Sequence, residues 1–181
     1  MDVRRVVTGH DRAGKAVFVS DERVPPLTPK LLPGSEFHRL WGADTAPHFP
    51  DDGSPPPQPT FFPPVGGFRF GLFSIPVAGR GGEAPGDIDV TAGLAEVDQL
   101  LPGMMRYMEP DDPGMHTTDT IDFEVVLSGE VTLELDDGAI VRLGPGDTVV
   151  QNGTRHRWGN PGDVPAVLAL FICGAQHDRF S

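Results

Sequence analysis

In the stretch VTLELDDGAIVRL, Val131, Leu133 and Leu135 alternate with polar residues, DDG supplies a turn, and Ile140, Val141 and Leu143 resume the apolar face. Period-two alternation interrupted by such a turn predicts a β-hairpin. The same texture of short β-rich runs and regular turns covers MMRYMEP, residues 120–160 and PAVLALFICGA. Many short antiparallel strands at this spacing predict a sandwich or a small barrel.

Ahead of that region, RRVV and KAVFVS flank a Gly/Asp-containing connection with His10 in it, which reads as a second hairpin. FRFGLFSIPV, 68–77, is a further strand by its aromatic and β-branched content. The one helical pattern lies between Thr91 and Pro102, with Leu94, Val97, Leu100 and Leu101 at helical spacing and expected in the core. From Val24 to Pro64 proline is so frequent that neither ladder nor helix is expected to persist. That arm carries Phe37, Leu40, Trp41, Phe49, Phe61 and Phe62, so it is expected to pack over something, and His38 and His48 read as surface or packing residues.

The 181 residues favour one domain with an appended arm. Fourteen Lys+Arg against 26 Asp+Glu give a formal net charge of −12, which repels phosphate backbones and anionic lipid, so nucleic-acid and membrane partners are not expected. Cys173 is the single cysteine and cannot form an internal disulfide; no secretory leader or membrane span is visible. The expected location is the reducing cytoplasm. Cys173, within VLALFICG, reads as a small buried hydrophobe.

Candidate chemistry gathers in GMHTTDTIDFEVVLSGE and GPGDTVVQNGTRHRWGN. If no bulge intervenes, alternation puts His116, Thr118, Asp122 and Glu124 on one face, and Arg155 and Arg157 flank an inward His156. Two imidazoles and a carboxylate converging in an apolar barrel suit either a 2-His-1-carboxylate metal site or acid–base catalysis. Asp119 and Glu124 are alternative inward acids, since a one-residue shift exchanges faces. A buried imidazole–carboxylate network with no chemistry, and a His156-to-Asn160 turn that is only structural, are the plain alternatives.

These blocks resemble the two motifs of the cupin superfamily. Six residues before Gly129, Asp122 stands at the family's glutamate position; His116 and Thr118 stand at its two histidine positions. In the second block Gly146 and Asp147 form the turn, and Gly153, His156 and Asn160 follow, with QNG in place of Pro-x-Gly and one residue fewer between turn and histidine. The resemblance covers Met104 to Ala175 and implies an all-β, cupin-type jelly-roll β-barrel with an N-terminal β-hairpin, a proline-rich arm and one short helix. The implied division is 1–103 for the extension packing on the barrel and 104–181 for the barrel core.

The resemblance also implies a small-molecule enzyme acting on a carbonyl-bearing or aromatic metabolite, as found in natural-product pathways. His116, His156 and Asp122 are then the catalytic residues, and Arg106, Thr118, Glu124, Gln151 and Trp158 the substrate contacts. If metal binds, His116, His156 and Asp122 hold one Fe, Mn, Ni or Zn ion and support dioxygenase, decarboxylase or lyase chemistry. Without metal, the same residues support a dehydratase, cyclase or isomerase. A non-catalytic pocket that only binds a ligand, with Arg106, Tyr107, Gln151 and Trp158 as its lining, is the third reading. A homodimer is implied, with the arm as a clasp across the partner or Phe61, Phe62 and Phe68 as a lid on the pocket.

Overall fold

The computed structural model describes residues 1–78 and 89–178. Strands β1 (Val3–His10) and β2 (Ala16–Val24) form the expected hairpin. Its turn is set by the Asp11 carboxylate, which accepts from Ala13 and Lys15 N–H at 2.8 and 2.9 Å, and by Gly14 at a φ of 77°. Among the described residues the hairpin forms no ladder with the main sheets. It is tied to β3 (Glu36–Ala43) by Arg5, whose guanidinium donates to the Leu40 carbonyl at 2.8 Å, and by His38, whose Nδ1 lies 3.0 Å from the Val24 carbonyl.

β3 departs from expectation, because it lies inside the proline-rich arm. The window Glu36–Ala43 contains no proline, so every residue in it can donate to a ladder. β3 pairs with β4 (Phe68–Ile75), and β4 with β10 (Ala166–Gly174). β5 (Thr120–Ser128) and β8 (Thr148–Gln151) complete a five-stranded sheet in the order β3-β4-β10-β5-β8. Two strands from 1–103 are thus built into this sheet, where the sequence reading packs them upon it.

A second sheet has the order β7-β6-β9, from β6 (Val131–Glu134), β7 (Ile140–Leu143) and β9 (Arg157–Gly159). Val131 and Leu133 point into the barrel as expected, whereas Ile140 and Val141 are 61% and 48% exposed. Consecutive strand residues face opposite sides, so both cannot point inward, and β7 is the outer strand where even the inward side is open. Between the sheets lies one apolar cluster of Val126, Val131, Ala166 and Leu168, with Phe73, Ile75, Leu143 and Trp158 against it.

The helix α1 spans Val90–Leu100 and is capped by Asp89, whose carboxylate accepts from Thr91 and Ala92 N–H. Val97 and Leu101 are buried and join Phe62, Met104 and Ile172 in a second cluster, with Leu100 packed against it. Leu94 is 41% exposed, contrary to expectation: Gly93 approaches Leu31, and the resulting Gly93–Val97–Leu101 stripe leaves Leu94 on the flank. Phe49 of the arm also stays exposed. The arm returns to the sheet at Gly174, whose N–H donates to the Gly67 carbonyl at 2.9 Å.

Candidate functional site

The two faces of the five-stranded sheet differ. Along β5, Thr120, Asp122, Glu124 and Val126 point into the barrel; across β10 these meet Ile172 beside Asp122 and Leu170 beside Glu124. Inward alternation therefore holds through Glu124, and no bulge exchanges the acids. Asp119, outside the barrel, lies near His177 at 3.9 Å.

On the opposite wall, His116 and His156 form an isolated antiparallel bridge just ahead of β9. His116 N–H donates to the His156 carbonyl at 3.0 Å and His156 N–H to that of His116 at 2.9 Å, which holds the ring centroids 4.1 Å apart. Each Nδ1 faces a carbonyl oxygen, Gly114 at 3.0 Å for His116 and Thr154 at 2.8 Å for His156. A carbonyl can only accept, so the proton of each neutral ring sits on Nδ1 and the lone pair on Nε2.

Both imidazoles and both carboxyls line one cavity of about 240 Å³. Its remaining wall is mostly apolar, with Phe73 and Ile75 from β4, Phe37 from β3, Leu170 and Ile172 from β10, Met104, Met108 and Trp158, and Leu32, Phe61 and Phe62 from the arm, beside the hydroxyls of Ser35 and Ser74. Phe62 packs edge-on to Tyr107 and to Phe61. Phe61 and Phe62 of the arm thus form part of the cavity lining. Phe68 does not join them, because it sits on the sheet's outer face beside Phe171.

Burial in these surroundings sets the charge states. Desolvation raises the Asp122 carboxyl to about 6. Glu124 rises to about 8, through burial first and the neighbouring Asp122 charge second. Burial lowers His116, and burial together with His116 lowers His156 to about 4. Near neutral pH the pocket thus holds two neutral imidazoles, a protonated Glu124 and an ionised Asp122. Asp122 Oδ1 and Glu124 Oε2 are buried without a hydrogen-bond partner.

Several expected contacts lie elsewhere. Arg106 is exposed and borders a separate surface depression with Tyr107, Glu109 and His177, because the Met104–Arg106 turn directs Met104 inward and Arg106 out. Thr118 is fully buried behind the cavity, its hydroxyl accepting from Thr120 at 2.8 Å. Gln151 is buried opposite Asp122 in the ladder but accepts from the Thr154 hydroxyl instead of lining the cavity. Trp158 does line it, edge-on to His156 at 6.3 Å. Asn160 is a structural residue: its amide donates to the Ile75 and Val164 carbonyls, both at 2.9 Å.

Arg155 and Arg157 face away from the pocket, as alternation requires, and clamp the loop before His116. Arg155 binds Glu109, Asp112 and Asp136; Arg157 binds Asp112 and Glu134. This network, absent from the sequence reading, fixes the segment that presents Met108 and His116. The methionines and the arm aromatics of the lining carried no motif, only apolar character.

The family described as "Cupin domain" matches residues 103–173. "Phomopsin biosynthesis cluster protein D" of Diaporthe leptostromiformis is 31% identical over 161 residues, covering 86% of this chain and 69% of that protein. The chain belongs to the cupin superfamily. "Oryzines biosynthesis cluster protein J" of Aspergillus oryzae is 38% identical over 78 residues, covering 40% of this chain and 44% of that protein. "Cupin-domain-containing oxidoreductase fogC" of Aspergillus ruber is 24% identical over 162 residues, covering 87% of this chain and 64% of that protein. Among solved structures, the Cnp3 cupin domain of Schizosaccharomyces pombe aligns at a TM-score of 0.47 and 10% identity, covering 96% of this chain and 89% of that one.

The expected metal ligands are His116, His156 and Asp122, which line one cavity. Among the described residues no three His, Cys, Asp or Glu side chains are grouped so as to hold a metal ion. The imidazole pair offers two nitrogen donors, Thr118 is turned into a hydroxyl pair behind the wall, and Asp122 sits on the other sheet. Burial also pushes the Cys173 thiol up, which makes it a poor nucleophile.

Proposed function

We propose that this cupin is an enzyme of natural-product biosynthesis that performs metal-independent acid–base chemistry on a carbonyl-bearing or aromatic metabolite, as a dehydratase, lyase or cyclase. The observation that carries this reading is the neutral His116–His156 pair on one wall of an apolar cavity facing the Asp122–Glu124 pair on the other. The biosynthetic setting rests on the phomopsin and oryzine cluster relatives.

The groups divide the work by charge state. An imidazole Nε2 removes a proton α to the substrate carbonyl, and Glu124, protonated near neutrality, delivers its proton to the departing hydroxyl, which leaves as water. The imidazolium and the Glu124 carboxylate are reset by exchange with solvent. Phe61 and Phe62 keep bulk water from the reacting carbon.

The competing readings are a metal-dependent dioxygenase or decarboxylase, which needs a third donor, and a pocket that binds without turnover. Plasma mass spectrometry of tag-free protein purified without chelator, alongside His156→Ala, separates the first. The acid–base reading expects substoichiometric metal that is unaltered by the substitution. Near-stoichiometric iron, manganese, nickel or zinc lost in His156→Ala overturns it.

The proposal extends to a cytoplasmic homodimer, with no nucleic-acid or membrane partner. Among the described residues no helix is long and apolar enough to cross a membrane. The outer face of the five-stranded sheet exposes Phe70, Phe123, Val125, Val150 and Phe171. An apolar sheet face of this extent is suited to a second copy of the chain.

A further inference from the structure

The cavity's polar groups are out of balance. His116 and His156 present Nε2 lone pairs, and Asp122 Oδ1 and Glu124 Oε2 lie buried and unpartnered. Among the described residues no lysine or arginine lines the cavity to answer them. The two arginines on the same inner face of the sheet are committed elsewhere. Arg69 is paired with Asp44 at 2.6 Å and donates to the Ala43, Phe68 and Thr60 carbonyls; Arg39 donates to those of Gln58 and Thr60. Both serve to seal the arm against the barrel.

We propose that the cavity takes an apolar, aromatic-sized molecule bearing a basic amine, whose ammonium pairs with the Asp122 carboxylate beside Glu124 while its body lies among the aromatic side chains, and that it rejects carboxylates. A buried anion is costly until a cation or donor reaches it, and the described residues leave Asp122 Oδ1 and Glu124 Oε2 without either. The lining suits the cation further, since it includes the aromatic rings of Trp158, Phe61, Phe62 and Phe73. A carboxylate in the same place would face the Asp122 charge and two imidazole lone pairs, and the expected carboxylate partner, Arg106, lies outside. This inference names the substrate class of the acid–base site and rests on that reading for the identity of the pocket.

The test uses the full chain at neutral pH and three probes of similar size, 2-phenylethylamine, 2-phenylethanol and 3-phenylpropanoate, titrated by calorimetry. The amine is expected to bind about ten-fold tighter than the alcohol or more, the scale of one buried charge-assisted contact. The carboxylate is expected not to bind. Asp122→Asn/Glu124→Gln should bring the amine to the affinity of the alcohol. Absence of amine binding, carboxylate binding equal to the amine, or an amine preference that survives the double substitution overturns the inference, and the first two outcomes need only the unaltered protein. Because binding is read without turnover, these outcomes leave the acid–base roles of His116 and His156 standing, and those roles fail separately, by the metal analysis.

Discussion

His116 and His156 exchange two backbone hydrogen bonds and carry their rings 4.1 Å apart, each with its Nδ1 turned to a carbonyl oxygen. The pair is a β-bridge first and an imidazole pair second. Backbone pairing fixes both rings without help from any ligand, so Nε2 is aimed into the cavity before substrate arrives.

This geometry predicts unusual titration. His156 should titrate at about 4, below an ordinary histidine, through burial and its neighbour. In His116→Ala the charge of the neighbour is gone, so the His156 pKa should rise. Carbon-detected NMR titration of the ring resonances reads both. An unshifted His156 near 6.5 would show that solvent reaches the ring and would remove the basis for a neutral base at this site.

The buried carboxyls predict a slope in stability. Glu124 ionises at about 8 in the folded chain against 4.5 as its ordinary value, and Asp122 at about 6 against 3.8. A raised carboxyl pKa stabilises the fold at low pH and loses that contribution as pH climbs through the folded value. The lowered histidines act in the opposite sense below about 6.5, so the clean window is from about 6.5 to 8, where Glu124 dominates. The urea midpoint should fall across that window in the wild type and stay flat in Glu124→Gln. Equal slopes in the two proteins would refute the assignment.

Where the arm crosses β10, a side chain has no room. A Cβ at Gly174 would lie 1.8 Å from the Pro64 carbonyl oxygen, too close for small adjustments to relieve. Gly174→Ala should displace the segment that leads back to Phe61 and Phe62, at a cost of about 1–3 kcal/mol or more. Thermal melting and binding of an apolar dye would report it: a lower midpoint with more dye bound is expected. Unchanged dye binding would mean that the arm does not close the cavity.

The outer sheet face predicts self-association. Phe123 and Phe171 stand opposite each other in the β5–β10 register and are 43% and 40% exposed in the single chain. Light scattering should find a dimer for the wild type and a monomer for Phe123→Lys/Phe171→Lys, with the β-sheet circular dichroism signal retained. A wild-type monomer at all practical concentrations would dismiss the homodimer.

Removing core contacts at the closed end should be costly. Leu101 is fully buried beside Val97 and Met104 under the arm, and Leu101→Ala should destabilise the chain by about 2–5 kcal/mol, the range for a buried leucine. A loss within measurement error in chemical denaturation would place α1 outside the cooperative unit.

Local chemistry determined much of this protein. Alternation placed Asp122 and Glu124 on the inner face, DDG set the β6–β7 turn, and Asn160 with the Gly146–Asp147 turn marked the second motif. These features depend on neighbours within a few residues, and period two carries them. Only the tertiary structure decided which polar groups meet. Whether Asp122 joins the imidazoles depends on which sheet each strand enters, and the chain places β5 and the His116–His156 bridge on opposite walls. Likewise Arg106, Thr118 and Gln151 lie near the right positions in sequence, yet one points to solvent and two are engaged behind the wall. Burial of the four titratable groups, and so their charge, follows from strands and loops distant in sequence meeting around one cavity, which no spacing along the chain encodes.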